Sequence, residues 1–110
     1  MLSRRQFMLA LAVGACAPPL RARTAAPSIH RIEIKSFAFE PSRVEVRVGD
    51  VVEWVNRDLA PHTATADNDS WNTGLLKGEA ASRLVMTKPG EHAYHCTYHP
   101  QMRGVVAVVS

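Results

Sequence analysis

Cysteine is scarce in this chain, with two in 110 residues, Cys16 and Cys96. Long apolar runs are missing as well. The longest, Phe7 to Ala15, is too short for a membrane-spanning helix, which needs about 20 residues. Helical periodicity is nowhere sustained, so a helical bundle is excluded. Aromatics are sparse at 6%, and acid is absent from the first 26 residues, which carry Arg4, Arg5, Arg21 and Arg23. That asymmetry accounts for the formal charge of +3; from Pro27 onward nine Lys+Arg oppose ten Asp+Glu, a balance of −1. A folded part with that balance makes no case for nucleic acid, which would need clustered positive charge on the folded domain.

The N-terminal stretch MLSRRQFMLALAVGACAPP joins a charged start to a short apolar run. This is the anatomy of an export signal. Ser3-Arg4-Arg5-Gln6-Phe7-Met8 resembles the twin-arginine motif, with Met8 and Leu9 departing from its commonest form. Val13-Gly14-Ala15-Cys16 resembles a bacterial lipobox. In that reading Cys16 carries lipid and the following Pro, Ala and Arg residues form a tether to a membrane. In the competing reading Cys16 is only a small residue of a discarded leader, and this is preferred because leader alanines and glycines imitate lipoboxes easily. Either way residues 1–26 are expected to export a single domain, residues 27–110, to the periplasm. That length supports one modest core. Cys96 is then the sole thiol of an exported domain. It has no internal disulfide partner and is open to oxidation unless something occupies it.

Strand patterns fill the domain. Ile29-His30-Arg31-Ile32-Glu33-Ile34 alternates, Phe37 to Phe39 follows, and Val44-Glu45-Val46-Arg47-Val48 puts valines on one face and charges on the other. Gly49-Asp50 turns the chain into Val51 to Val55. Short strands are expected at His62 to Ala66, Ser82 to Thr87, Glu91 to Cys96 and Val105 to Val109. Asp67 to Gly78 reads as a loop pinned by Trp71 and Leu76. About seven to eight short strands with frequent turns make an all-β, two-sheet sandwich.

Between the last two strands lies Cys96-Thr97-Tyr98-His99-Pro100-Gln101-Met102. A Cys-x2-His pair alone also serves zinc. The thioether at Met102 shifts the chemistry, because thiolate, imidazole and a weak thioether suit copper. A blue-copper centre needs a second histidine. Among His30, His62, His92, His95 and His99, the best candidate is His62, which follows Pro61 at the start of a short strand. His95 neighbours Cys96 in a strand and should point the other way. His92 and His30 read as structural or solvated, and His30 has no evident partner.

The segment from Tyr94 to Val105 resembles the ligand loop of the cupredoxins, with the Cys-x2-His-x2-Met spacing of their amicyanin-like group. Phe39-Glu40-Pro41, Val48-Gly49-Asp50, Trp54-Val55-Asn56, Pro61-His62-Thr63, Trp71-Asn72-Thr73-Gly74 and Lys88-Pro89-Gly90-Glu91 match further landmarks in order. The resemblance spans about residues 29–110 and implies a cupredoxin-like Greek-key β-sandwich. It also implies one type 1 copper ion, with His62, Cys96 and His99 as equatorial ligands and Met102 as the axial one. Thr63 stands where many members have an Asn that ties the two ligand loops together, and a Thr97 hydroxyl bond is the expected compensation.

The function implied is one-electron transport between redox proteins, not catalysis. No His-x-His pair points to a multi-copper cluster, and no small-molecule substrate is expected. Electrons are expected to pass at His99, within an apolar surface formed by Leu59, Pro61, Tyr98 and Pro100. A monomer is expected. The alternative is a copper delivery or sequestration protein; the small number of methionines beyond the leader, Met86 and Met102, stands against sequestration but not against delivery at a single site.

Overall fold

The computed structural model describes residues 26–110. The expected export signal and Cys16 lie outside these residues, Ala26 excepted. Among the described residues there is no helix. The strands are β1 (Ile29–Lys35), β2 (Ala38–Glu40), β3 (Arg43–Arg47), β4 (Val51–Asn56), β5 (Thr65–Ala66), β6 (Ala81–Val85), β7 (Gly90–His95) and β8 (Arg103–Val109). They form two four-stranded sheets, ordered β3-β8-β7-β5 and β2-β1-β4-β6. Each sheet is mixed: β8 runs parallel to β3 and antiparallel to β7, and β1 runs parallel to β4 and antiparallel to β2. This is the all-β sandwich expected from the alternation.

Period-two alternation decides which face is buried. In β1 Ile32 and Ile34 turn inward, as do Val52 and Trp54 in β4 and Val106 and Val108 in β8. Between the sheets Trp54, Trp71, Tyr94 and Phe39 form one aromatic cluster, with Phe39 4.7 Å and Trp54 5.5 Å from Tyr94 by ring centroids. Such edge-to-face contacts add about 0.5–1.5 kcal/mol each beyond area burial. β8 is central in its sheet, which explains its nearly continuous apolar run.

The expected strand at His62 to Ala66 is shorter than the pattern indicates. Only Thr65–Ala66 joins the sheet; His62 instead exchanges two backbone hydrogen bonds with Leu76, and the Ala64 N–H donates to the Thr73 hydroxyl. The segment pairs with the 71–76 loop rather than with a strand, so its backbone groups are satisfied without ladder partners. Leu76 and Trp71 anchor that loop on the core, as expected.

One end of the sandwich is fastened by Asp50. Its Oδ1 accepts from the Ser28 N–H at 3.0 Å, and its Oδ2 faces the Arg47 N–H at 3.0 Å and the His30 Nε2 at 2.9 Å. His30 therefore has a partner, contrary to the sequence reading, which could not see that β1 and β4 lie side by side. The backbone N–H groups of Arg47 and Ser28, then the His30 ring, hold Asp50 down at about 2 against an ordinary 3.8. A depressed carboxyl stabilises the fold above its ordinary value and loses that contribution as pH falls toward 2. Asp50→Asn is thus expected to lower the urea midpoint at pH 7, with the gap to wild type closing between about pH 4 and 2. A gap of equal size at pH 7 and pH 2.5 would contradict this. Gly49, at φ 96°, supplies the left-handed backbone that this β3–β4 turn requires.

Candidate metal centre

At the other end of the sandwich β4 finishes at Asn56, β7 finishes at His95 and β8 begins at Arg103. The loops leaving these ends carry the candidate ligands. Two successive turns shape the 96–102 loop: the His99 N–H donates to the Cys96 carbonyl at 3.3 Å, and the Met102 N–H to the His99 carbonyl at 2.9 Å. The Cys96 N–H closes the loop on the Met102 carbonyl at 3.2 Å. Two successive three-residue turns therefore link residues 96, 99 and 102 along one tight loop. Met102 and Cys96 are both buried in the core cluster.

The second loop is braced by Asn56, itself fully buried. Its Nδ2 donates to the Ala60 and Leu76 carbonyls, each at 2.9 Å, and its Oδ1 accepts from the Asp58 N–H at 2.8 Å. This bracing delivers His62 to the site. His62 Nδ1 lies 3.8 Å and His99 Nδ1 3.6 Å from Cys96 Sγ, and one donor atom from each of the three residues lies within 4.8 Å of the others. Among the described residues this is the group of three or more such side chains placed to hold a metal ion. The fit can be tested by distance. Donors about 2.0–2.3 Å from an ion in a trigonal plane stand roughly 3.6 Å apart. The sulfur-to-nitrogen separations match that without rearrangement.

Electrostatics favour a metal as well. His62 is 0% exposed, and its Nε2 faces Asp58 Oδ2 at 2.8 Å. A proton on Nε2 donated to the carboxylate leaves Nδ1 with its lone pair toward the site. Burial works to raise the Asp58 carboxyl, but the Phe37 N–H, the His62 ring and the Ser36 N–H outweigh it and hold it below the ordinary carboxylate value. Cys96 Sγ accepts from the Thr63 N–H at 3.4 Å.

The tie between the two loops survives without asparagine. Thr63 Oγ1 accepts from the Thr97 N–H at 2.9 Å and lies 3.2 Å from the Thr97 hydroxyl; Thr65 joins them, 3.0 Å from each hydroxyl. The expected Thr97 compensation is present, and Thr65 is a third member that the sequence reading did not include. His95 points away from the group and pairs with Asp67 at 2.6 Å, and His92 pairs with the Lys88 carbonyl at 2.8 Å. Both are structural, as expected.

Asp58 and Phe37 were not legible beforehand. The Phe37 ring lies edge-on to His62 and His99, 5.0 and 4.9 Å away by centroids. Asp58 stands four residues before His62, a spacing that carries meaning on a helix but none in a loop.

Comparison with known proteins bears on what this group is. A family model described as a Cupredoxin-like domain matches residues 6–108. Amicyanin from Paracoccus denitrificans is 36% identical over 95 residues, 82% of this chain and 72% of the relative. A plastocyanin from a Synechococcus strain is 25% identical over 110 residues, covering 84% and 81%. Among solved structures, a Cu(I) form of an amicyanin variant superposes with a TM-score of 0.68 at 35% identity, over 78% of this chain and 87% of that one.

Proposed function

This chain belongs to the cupredoxin family, and from that premise we propose that His62, Cys96 and His99 are the equatorial ligands of its copper ion and Met102 the axial one. The protein is a one-electron carrier holding a single type 1 copper ion, and it is not an enzyme. When bound, copper supplies a Cu(I)/Cu(II) couple.

The chain's own residues do the rest. The Thr63 N–H orients the Cys96 sulfur, and its buried surroundings keep it away from water. Asp58 fixes the His62 ring by its outer nitrogen. The hydroxyl cluster of Thr63, Thr65 and Thr97 locks the two ligand loops together, so a change of charge at the metal meets a frame that resists rearrangement.

The observation that carries the ligand assignment is the pair of imidazole nitrogens 3.6 and 3.8 Å from one buried thiol. The thioether argues against zinc, which takes N, O and thiolate donors. Delivery or sequestration is not favoured: His62 and Cys96 are fully buried, whereas a site that hands copper on must open to its recipient.

His99 is half-buried, and around it the surface is apolar. Leu59 is 100% and Tyr98 62% exposed, with Pro61 and Pro100 also at the surface. This patch is the proposed docking face for redox proteins, whose transient contacts bury less than about 1,200 Å². Adding one equivalent of Cu(II) to the purified protein tests the site. An intense visible thiolate-to-copper band supports it, and a pale adduct overturns it.

Residues 1–26 are taken as the leader that exports the domain of residues 27–110 to the periplasm, supported by four arginines without an acid and by a lone thiol in the domain. Cys16 is read as part of that discarded leader. The mass of the mature N-terminus is the test: a start beyond Cys16 agrees, and a lipid adduct on Cys16 would instead make the domain membrane-anchored.

A further inference from the structure

The β1–β2 hairpin turns through two residues only. Lys35 pairs with Ala38, and Ser36 and Phe37 between them stand in left-handed backbone at φ 53° and 57°. Turns of this kind ordinarily take Asn-Gly or Asp-Gly, because a β-carbon is disfavoured there. Ser-Phe is a strained choice, and such strain persists only where surrounding structure imposes it, often at functional sites.

Asp58 imposes it. Its Oδ1 accepts from the Ser36 N–H at 2.7 Å, and its Oδ2 from the Phe37 N–H at 2.9 Å and the His62 ring at 2.8 Å. One carboxylate thus fastens the hairpin tip to a metal-binding histidine. The turn aims the Phe37 ring at both imidazoles, with interplanar angles of 85° to His62 and 87° to His99. The imidazoles are 5.0 Å apart, so the three rings close a triangle. Phe37 itself stays 46% exposed. The strained turn therefore does little to bury the phenylalanine, and what the ring covers is the pair of histidines.

We propose that Phe37, clamped by Asp58, is a positioning residue for electron transfer: its ring keeps water from the two histidines and holds the His99 ring in one orientation in both oxidation states. The proposal rests on the copper site described above. In self-exchange one electron passes from the Cu(I) form of one molecule to the Cu(II) form of another at the His99 face, and no atom is transferred. An imidazole that does not move between the two states lowers the rearrangement that each transfer requires.

The test uses the full chain as wild type, Phe37→Ala, Phe37→Gly and Phe37→Tyr. With Cys96 untouched, all four are expected to show the visible band after one equivalent of copper. Copper release to a chelator should quicken about tenfold in the Ala and Gly variants, and self-exchange, read by NMR line broadening, should slow by about the same factor. Phe37→Tyr should restore both. In the metal-free proteins, loss of the ring should also shift the His62 and His99 ring-proton resonances, which lie in its ring-current field.

Phe37→Gly separates positioning from stability. Glycine relieves the left-handed backbone, so metal-free Phe37→Gly should melt above Phe37→Ala. If Phe37 acted only by stabilising the fold, the Gly variant would recover copper retention. That recovery, or Ala and Gly variants with wild-type release and self-exchange, overturns the inference while leaving the copper site standing. A wild type without the visible band overturns the copper site itself, and the inference with it.

Discussion

Cys96→Ala is expected to abolish the intense visible absorption of the copper-loaded protein and its reversible one-electron couple. The absorption requires a thiolate bonded to Cu(II), and Cys96 is the free cysteine of the described domain, fully buried beside His62 and His99. Alanine leaves two imidazoles and a thioether, which hold Cu(II) only as a pale adduct. The substitution also strands the Thr63 N–H, which donates to Cys96 Sγ. An orphaned buried donor costs about 1–3 kcal/mol. Cys96→Ser separates the two effects: its hydroxyl can accept from Thr63, yet it supplies no thiolate. Both variants should therefore lose the band, and the serine variant should melt closer to wild type. Absorption spectra and voltammetry of the three proteins decide it; a band that survives in either variant removes Cys96 from the site.

The second large effect lies at Gly104. In the β7–β8 pairing Gly104 sits opposite Tyr94, and a β-carbon built on it would stand 2.4 Å from both Cζ and Oη of that ring and 2.7 Å from Cε1. The ring has nowhere to go. Phe39, Trp54 and Trp71 close around it with centroids 4.7, 5.5 and 5.6 Å away. Overpacking a filled core costs typically 1–3 kcal/mol and occasionally more, so Gly104→Ala is expected to cost about 3 kcal/mol. At roughly 4–8 °C per kcal/mol for a domain this small, the melting temperature should fall by about 12–24 °C. Tyr94→Phe should not rescue it, since the Cζ contact remains. Calorimetry on the single and double variants is the measurement, and a Gly104→Ala protein melting within a few degrees of wild type would refute the account. Because Gly104 is two residues from Met102, whatever folded Gly104→Ala survives is also expected to hold copper less well.

Much of the site was readable because its signals are local. Cys96, His99 and Met102 lie within one loop, and their spacing reflects two three-residue turns that the chain forms by itself. His62 was reachable because it follows Pro61 at a strand start and because few other histidines compete. Strand faces were readable for the same reason: alternation in β1 and β3 is a property of neighbours in sequence. Apart from the Asp58–His62 contact, which is local but carries no periodic signal in a loop, the parts that were missed are contacts across 20 residues or more. His30 meets Asp50 only because β1 and β4 run side by side. Phe37 reaches the histidines only because Asp58, in another loop, holds the hairpin tip.

By itself, then, the amino-acid sequence determined the class of the fold, the candidate donor residues and the chemistry they favour, since residue type and short-range spacing decide these. Tertiary structure alone decided how the donors are held. It fastened Asp58 to the β1–β2 hairpin tip, tied the two loops by three threonine hydroxyls, strained a turn to set Phe37 edge-on to two imidazoles and left no room beside Gly104. Each of these depends on which strand packs beside which and on how tightly the side chains fill the space between the sheets. Those are properties of the whole packed chain, and no short window of sequence contains them.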